Sequence, residues 1–423
     1  MAETIDLLTE IQKAGILTDR ALAELREQAA KNDFPTDLQG LAQRLISEKI
    51  LTPFMAKRLI AGRGRELVVS RYVILDRLGK GSMGEVFKAQ HILMGRLVAL
   101  KRIASDITSK DKAVARFQRE MRLVGRLDHP NVVRAYDADA RGQLLYLVME
   151  YVKGKSLQDI LKTDGPLPIE LAIRYAIQAA RGLHHAHEQG VVHRDVKPSN
   201  LFVTEDGETI KILDLGLGAL MEDDPNSTFQ TADNIAVGTI DYMSPEQAMG
   251  KDVDGRSDQF NLGVTMYYLL TAKFPFPGNN PMERLSRRIT GRPAPILEHR
   301  PEIPTELVAI LDKMMATKAH DRFPSCGAVA DALERLLTKD KATGAASSNH
   351  QTKPPTGSNA DPGSAPGQAK VRTVRPNYPG WFDWLAALVE KSPAGGFVVV
   401  LFILALVAAL GAISVLAFHQ FSG

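Results

Sequence analysis

The chain has very little cysteine and no marked excess of charge of either sign. Cys326 is the single cysteine among 423 residues, which excludes an internal disulfide and any site built from paired cysteines. The formal net charge is +3, so composition gives no reason to expect nucleic acid as a partner. A secretory signal peptide is also lacking, because the N-terminal segment MAETIDLLTE carries acidic residues where such a peptide carries basic ones. These features are typical of a globular protein in a reducing compartment.

Composition and hydrophobic periodicity divide the chain into five segments. The first predicts a small helical module without a catalytic signature, and the second combines short apolar strands with longer helices. The third is too rich in Pro, Gly and Ser to bury a core, so we expect a disordered linker. The fourth is a juxtamembrane segment, and the fifth is an uncharged apolar run. Their bounds are 1–66, 71–337, 338–380, 381–395 and 396–418.

The apolar run at 396–418 predicts a transmembrane helix. It carries no charged residue, and it is long enough for the roughly 20 residues that an α-helix needs to cross a bilayer core. A buried core helix is the alternative, but a run that follows a disordered linker has no core to enter. Four basic residues precede the run and none follows it, which predicts a single-pass membrane protein whose preceding segments are cytoplasmic. These basic residues are Lys370, Arg372, Arg375 and Lys391.

A glycine-rich motif, Gly-Lys-Gly-Ser-Met-Gly at 79–84, lies near the start of the second segment. This spacing alone also marks dinucleotide-binding folds, in which the glycines open a long helix. Here an apolar run around Val86 follows directly, and the turn-like pair Met94-Gly95 separates it from a second run that ends at Lys101. The pattern therefore predicts a hairpin of strands, whose glycine backbone can lie close over phosphate groups.

Lys101 ends an apolar strand, where an ammonium group needs a partner of opposite charge. We expect that partner to be Glu120. A helix around Glu120 places it on the same stripe as Phe117, Met121 and Val124, so it does not point away from the core.

Two polar clusters follow, each beside an apolar strand. Asp195, Lys197 and Asn200 lie in one loop. There a carboxylate can orient a hydroxyl group or accept its proton, an ammonium can neutralise phosphate, and an amide oxygen can bind a hard cation. Asp214 ends the next apolar run and precedes the turn residue Gly216, a position suited to a Mg²⁺ ligand.

In order and spacing these segments resemble the signature set of protein kinases, over the whole of 71–337. Lys197, two residues after Asp195, and Gly238-Thr239 resemble the serine/threonine group. As a whole the chain looks most like the bacterial eukaryotic-type (Hanks-type) kinases with a cytoplasmic catalytic domain and one membrane span. The resemblance implies an α+β, bilobal fold with a small β-rich N-lobe and a larger helical C-lobe. It also implies transfer of the γ-phosphoryl group of ATP to Ser or Thr hydroxyls of protein substrates, with Mg²⁺ or alternatively Mn²⁺ as the metal.

The resemblance also assigns roles to individual residues. Asp195 would be the catalytic aspartate, and Lys197 would contact the γ-phosphate. Lys101 would hold the α- and β-phosphates and pair with Glu120. The metal ligands would be Asn200 and Asp214. The ATP-binding residues would be Leu78, Gly79, Lys80, Gly81, Ser82, Gly84, Val86, Ala99, Lys101, Met149, Glu150, Val152 and Phe202.

Structural and regulatory roles are implied in the same way. Glu246 would pair with Arg322, Asp258 would anchor the catalytic loop from a helix, and Thr239 would belong to the segment that marks the serine/threonine group. Arg194 would bind a phosphate on the loop between the metal ligand and Glu246. Our hypothesis is that Ser227, Thr228 or Thr231 on that loop is autophosphorylated, and an unmodified polar loop is the alternative.

One position departs from the family pattern, and two other classes of protein stay open. Leu215 stands where the family has phenylalanine, which we expect to change packing without removing the metal site. A pseudokinase scaffold on the membrane is disfavoured by the complete set of charged residues, and a small-molecule kinase by the long segment 214–246. A homodimer also stays open. Four histidines are interpreted as ordinary helix and loop residues and not as metal ligands; they are His184, His185, His187 and His193.

Overall fold

The computed structural model describes residues 2–31, 35, 37–81, 84–103, 111–141, 144–216 and 240–347. Several predictions fall elsewhere, including the transmembrane run 396–418. No helix within the described ranges is long and apolar enough to cross a bilayer. The predicted site residues outside the described ranges are Ser82, Ser227, Thr228, Thr231 and Thr239.

Four helices form the N-terminal segment, as the predicted helical module requires, and three of them begin with a side-chain cap. The side chains of Thr18, Asp37 and Thr52 each accept a hydrogen bond from the backbone N–H three residues further on, which caps the helix. The four are α1 (Ala2–Ala14), α2 (Asp19–Ala30), α3 (Leu38–Ser47) and α4 (Pro53–Ile60).

These helices are two copies of one helix–turn–helix unit. The turn of the first copy is Gly-Ile-Leu-Thr at 15–18, and the turn of the second is Lys-Ile-Leu-Thr at 49–52. Gly15 and Lys49, the first residues of the two turns, have φ of +65° and +60°. A lysine in this left-handed region is uncommon, so the turn geometry outweighs the preference of the side chain. The equivalent helical positions are buried in both copies, as in the pairs Leu7 and Leu41, Ile11 and Leu45, and Leu25 and Leu59.

A six-stranded antiparallel sheet follows, in the order β1-β2-β3-β4-β6-β5. Helix α5 (Asp111–Val124) lies between β4 and β5 in the chain, and its Phe117, Met121 and Val124 are buried as the stripe predicts. The strands are β1 (Val68–Val69), β2 (Tyr72–Gly81), β3 (Gly84–His91), β4 (Leu97–Ile103), β5 (Ala135–Arg141) and β6 (Leu144–Glu150).

Both faces of this sheet are buried. Val98 and Leu100 of β4 share a hydrophobic core with residues of α1–α4, whereas Ala99 between them packs with Val133 and Met149 in a separate cluster. Alternate residues of a strand point to opposite faces, so the N-terminal helices cover the face that turns away from Ala99. Burial on both sides explains why β4 and β6 are nearly continuous apolar runs in the sequence.

The C-lobe is helical, with a small antiparallel sheet in the order β7-β8-β9. Helix α9 is buried along almost its whole length, and with α7 it forms the centre of the core. Single-turn 3-10 segments lie at Pro198–Asn200, Ile296–Glu298 and Ala319–Asp321. The bounds are β7 (Gly154–Ser156), α6 (Leu157–Asp164), α7 (Ile169–Glu188), β8 (Leu201–Thr204), β9 (Ile210–Ile212), α8 (Pro245–Ala248), α9 (Gly255–Thr271), α10 (Pro281–Thr290), α11 (Thr305–Met314) and α12 (Cys326–Ser347).

Candidate active site

Lys101 and Asp214 form an ion pair between the two lobes, in which the lysine is buried and the aspartate is half-buried. The Lys101 side chain is 5% exposed, and its Nζ lies 2.7 Å from Asp214 Oδ2. Burial opposes ionisation of Asp214, but the Lys101 ammonium, helped by His193 and Lys197, holds the pKa of Asp214 below its ordinary value. The carboxylate is therefore ionised at neutral pH, as a metal ligand has to be.

The predicted pairing of Lys101 with Glu120 is corrected by this contact. Glu120 is half-buried on α5, and its Oε2 lies 3.6 Å from the point that a Cβ on Gly216 would occupy. Asp214 and Gly216 have φ of +59° and +76°, so the chain turns sharply between them. This turn brings the Asp214 carboxylate to the lysine and leaves Glu120 beside the glycine. Helical spacing placed Glu120 correctly on the buried stripe, but it could not decide which of two carboxylates reaches the ammonium.

Asp195, Lys197 and Asn200 converge as the sequence predicts. Lys197 Nζ lies 2.8 Å from Asp195 Oδ2, and the Asn200 amide donates to the Asp195 carbonyl (2.8 Å) and to Asp195 Oδ2 (3.1 Å). Within the described part of the chain, the second oxygen, Asp195 Oδ1, is buried without a hydrogen-bond donor. A buried carboxylate oxygen is normally satisfied, so this one is a ready acceptor for a group that enters the cleft.

The Asp258 side chain on α9 fixes the backbone of the loop that carries Asp195. Its fully buried carboxylate accepts hydrogen bonds from the backbone N–H groups of His193 (2.9 Å) and Arg194 (2.8 Å), and His187 Nε2 lies 2.7 Å from Oδ2. Burial opposes ionisation of Asp258, but the hydrogen bond to His187 and the electrostatic interactions with His187 and His193 lower the pKa of its carboxyl group. Arg194 has φ of +67°, and the two backbone bonds fix this left-handed turn just before Asp195.

Glu246 and Arg322 form the second predicted pair, and the contact is bidentate. Arg322 Nη1 lies 2.6 Å from Glu246 Oε1, and Nη2 lies 2.9 Å from Oε2. Burial opposes ionisation of Glu246, but the arginine lowers its pKa. The pair joins the start of α8 to the C-lobe core, and its two parallel hydrogen bonds fix the geometry of the contact.

Four of the predicted ATP-binding residues belong to one small apolar cluster. Ala99 and Met149 are buried in it together with Val133, and Val86 and Val152 pack against them. Glu150, the last residue of β6, pairs with Lys211 at 3.0 Å. The remaining predicted ATP-binding residues lie in β2, β3 and β8; they are Leu78, Gly79, Lys80, Gly81, Gly84 and Phe202, of which Gly84 and Phe202 are half-buried and the others are exposed.

Asn200 and Asp214 fit a hard divalent cation, because both offer oxygen donors at the same edge of the cleft. The Asn200 amide nitrogen donates to Asp195, so the amide oxygen points away from Asp195 and is left to face a cation. Leu215 is 4% exposed and packs in the C-lobe core, so it anchors the backbone next to Asp214 to that core. The packing is consistent with the expectation that leucine here leaves the metal ligands in place.

The sequence reasoning missed three polar residues that support the catalytic loop. His187 was interpreted as an ordinary helical residue, yet it bonds to Asp258. Gln247 Nε2 donates to the Arg194 carbonyl at 2.7 Å, and Thr265 Oγ1 donates to the Val196 carbonyl at 3.2 Å. Thr265 had a signal in the sequence, since a polar side chain inside an apolar buried helix needs a hydrogen-bond partner.

Comparison with known sequences agrees with this site. The sequence model of the family described as the protein kinase domain matches residues 72–333, which is more than half of the chain. The chain therefore belongs to the protein kinase family.

Curated relatives carry both serine/threonine and tyrosine kinase names. Serine/threonine-protein kinase pkn2 of Myxococcus xanthus is 38% identical over 267 residues, which are 62% of this chain and 32% of that protein. Tyrosine-protein kinase MasK of the same species is 38% identical over 285 residues, 63% of this chain and 43% of MasK. PknB of Mycobacterium tuberculosis is 34% identical over 270 residues, 63% of this chain and 43% of PknB. The chain spans less than half the length of each of these relatives.

A solved structure supports the fold. The kinase domain of M. tuberculosis PknI has a TM-score of 0.52 and 28% sequence identity, and the match covers 63% of this chain and 97% of that domain. The expected bilobal kinase fold, with a β-rich N-lobe and a helical C-lobe, is confirmed.

Proposed function

We propose that the chain is an ATP-dependent serine/threonine protein kinase. The observation that carries this proposal is the buried, unsatisfied Asp195 Oδ1, held in a loop with Lys197 and Asn200 and opposite the Lys101–Asp214 pair. An acceptor without a donor, beside the Lys197 ammonium, suits a hydroxyl group that must be oriented next to a phosphate. A pseudokinase scaffold would not need this arrangement.

The mechanism follows from what these side chains can do. Lys101 and Lys197 place two ammonium groups where the phosphates of ATP would lie, and the hydroxyl of the substrate would donate its proton to Asp195. Mg²⁺, when held by Asn200 and Asp214, would supply charge neutralisation at the phosphates. The apolar cluster around Ala99 and Met149 would hold the adenine ring.

Serine/threonine specificity rests on Lys197, two residues after Asp195, because tyrosine kinases usually lack a lysine there. The relative MasK is named a tyrosine kinase, so phosphotyrosine is one of the outcomes to be measured.

The test is incubation of the full chain with Mg²⁺ and γ-labelled ATP, beside an Asp214→Asn variant, followed by acid hydrolysis. We expect phosphoserine or phosphothreonine that the variant lacks. Label on phosphotyrosine alone would overturn the assigned specificity, and no label would overturn the activity.

A second part of the proposal is activation by autophosphorylation on Ser227, Thr228 or Thr231. It is supported by Arg194, a cationic residue whose backbone N–H is fixed beside Asp195 by Asp258, because a guanidinium can bind a phosphate group. Phosphopeptide mapping of the active chain should find one of these residues modified. A fully active chain with an unmodified loop would contradict the proposal.

The third part is anchoring to a membrane by 396–418, with the kinase domain in the cytoplasm. It is supported by the uncharged length of this run and by the basic residues that precede it. Anchored chains share one plane, which would favour phosphorylation between copies as a homodimer. We expect the full chain to stay with membranes after an alkaline wash and a variant without 396–418 to be released. Release of the full chain under the same wash would refute the anchor.

A further inference from the structure

The second helix–turn–helix unit contacts the strand pair that carries the glycine-rich motif. The rings of Phe54 on α4 and Phe87 on β3 lie 6.2 Å apart between centroids, and the Arg58 guanidinium lies 5.2 Å from the Phe54 ring. Phe87 is buried in the core that the N-terminal helices share with the sheet. Its neighbour Val86 points to the other face and packs in the nucleotide cluster. One strand therefore connects the N-terminal helices with the cleft.

A β-bulge in β2 is held by the same unit. The register of β2 on β3 shifts between Ile74 and Asp76, so Leu75 is the extra residue of the bulge. The Thr52 hydroxyl donates to the Leu75 carbonyl and at the same time accepts from the N–H of Met55 at 3.2 Å, which caps α4. A bulge sets the local bend and twist of its strand. The direction in which β2 leaves this bulge therefore depends on a carbonyl that Thr52 holds, and a second register shift, between Arg77 and Gly79, follows before the glycine-rich motif.

The first unit offers a built-in comparison. Thr18 occupies the position equivalent to Thr52 and caps α2 by accepting from the Ala21 N–H at 3.3 Å, but it is exposed. The position equivalent to Phe54 is Arg20, whose side chain is 90% exposed and paired with Glu24. Both threonines therefore stabilise a helix, while Thr52 also contacts the sheet.

We propose that the second N-terminal unit positions the glycine-rich strand pair for ATP, through Thr52 on the Leu75 bulge and Phe54 on Phe87. Thr52 is a positioning residue: it acts through the strand and does not touch the cleft. The proposal rests on the proposed kinase function and adds to it that the N-terminal helices support the nucleotide site indirectly, through the strands. A closely packed interior transmits a local displacement to its neighbours. Loss of the bond between Thr52 and the bulge therefore lowers the fraction of molecules in which the glycine-rich strand pair is positioned to bind ATP.

The test uses full-length chains with Thr52→Val, Thr52→Ser and Thr18→Val. Loss of one hydrogen bond should raise the Kd and the KM for Mg·ATP in Thr52→Val by about two- to tenfold, with kcat nearly unchanged. Thr52→Ser should restore both values, because its hydroxyl can make the same bond. Thr18→Val should lose a similar amount of thermal stability through its cap and leave ATP binding unchanged.

Binding of a fluorescent ATP analogue is measured separately from turnover, so a failure of the kinase proposal is distinguishable from a failure of this one. An unchanged Kd in Thr52→Val, or an equal rise in Thr18→Val, would overturn the positioning role. If Thr52→Val does not fold, Phe54→Leu serves as the second variant. It should raise the Kd in the same direction and speed amide hydrogen exchange in residues 76–81, and the absence of both effects would also overturn the proposal.

Discussion

Arg322→Met should strongly destabilise the C-lobe, because it leaves the buried Glu246 carboxylate without its charged partner. The Arg322 side chain is 0% exposed, that of Glu246 is 11% exposed, and both guanidinium nitrogens reach the carboxylate. Arg322 also donates to the carbonyls of Arg256 and Ala316, both at 2.8 Å, so these acceptors lose a donor too.

The expected loss in free energy of unfolding is about 3–5 kcal/mol, the usual cost of an uncompensated buried charge. For a domain of this size that corresponds to a fall in Tm of roughly 6–15 °C. The matched control is Arg256→Met, which removes an arginine from an exposed pair with Asp254, 38% and 56% exposed. Such a pair contributes only about 0–1 kcal/mol.

The pH dependence provides a second readout. In the folded chain the pKa of Glu246 lies below its ordinary 4.5, so the pair's contribution to stability is present above pH 4.5 and is lost as pH falls through the lowered pKa. In Arg322→Met burial raises that pKa instead, so the penalty fades once the carboxylate is protonated. Urea unfolding at pH 7 and pH 4 should therefore show a smaller gap between variant and original chain at pH 4. A loss no larger than that of Arg256→Met, or a gap independent of pH, would refute the reasoning.

Three further predictions concern the cleft and the C-lobe core. Lys101→Met should slow phosphoryl transfer by at least about 10²-fold, since it removes a fixed charge at the phosphates, and circular dichroism should show an intact fold; transfer at the original rate would contradict the role of the lysine. Gly182→Ala on α7 should destabilise although alanine favours helices by about 1 kcal/mol, because a Cβ there would lie 2.8 Å from Ile212 Cδ1 and 3.2 Å from the Asn131 carbonyl; a rise in the urea midpoint would show that these neighbours yield. Leu215→Phe should cost about 1–3 kcal/mol by overpacking a site that is 4% exposed, and a thermal midpoint at or above the original would reveal unfilled space.

The catalytic loop and the metal-binding segment could be predicted from the sequence because their chemistry depends on short spacings. Asp195, Lys197 and Asn200 are close in the chain, so their convergence needs only a local turn. The helix caps at Thr18 and Thr52 were predictable for the same reason.

The partner of Lys101 was not predictable in this way, because it depends on how two lobes and a left-handed turn at Asp214 meet. The association of the N-terminal helices with the sheet was also missed, although two signals existed. The repeated Ile-Leu-Thr at 16–18 and 50–52 indicates two equivalent helical units. The unbroken apolar pattern of β4 and β6 indicates that both faces of the sheet are buried, so that something must cover the second face. Alternation alone would have left one face to solvent.

Parallel measurement of ATP binding and phosphoryl transfer in Asp195→Asn tests the central claim most directly. Asp195 is assigned to orient the substrate hydroxyl and not to hold the nucleotide. The variant should therefore bind Mg·ATP within about twofold of the original Kd, while transfer to Ser or Thr falls by about 10²–10⁴-fold. Transfer at the original rate in the variant would contradict the account.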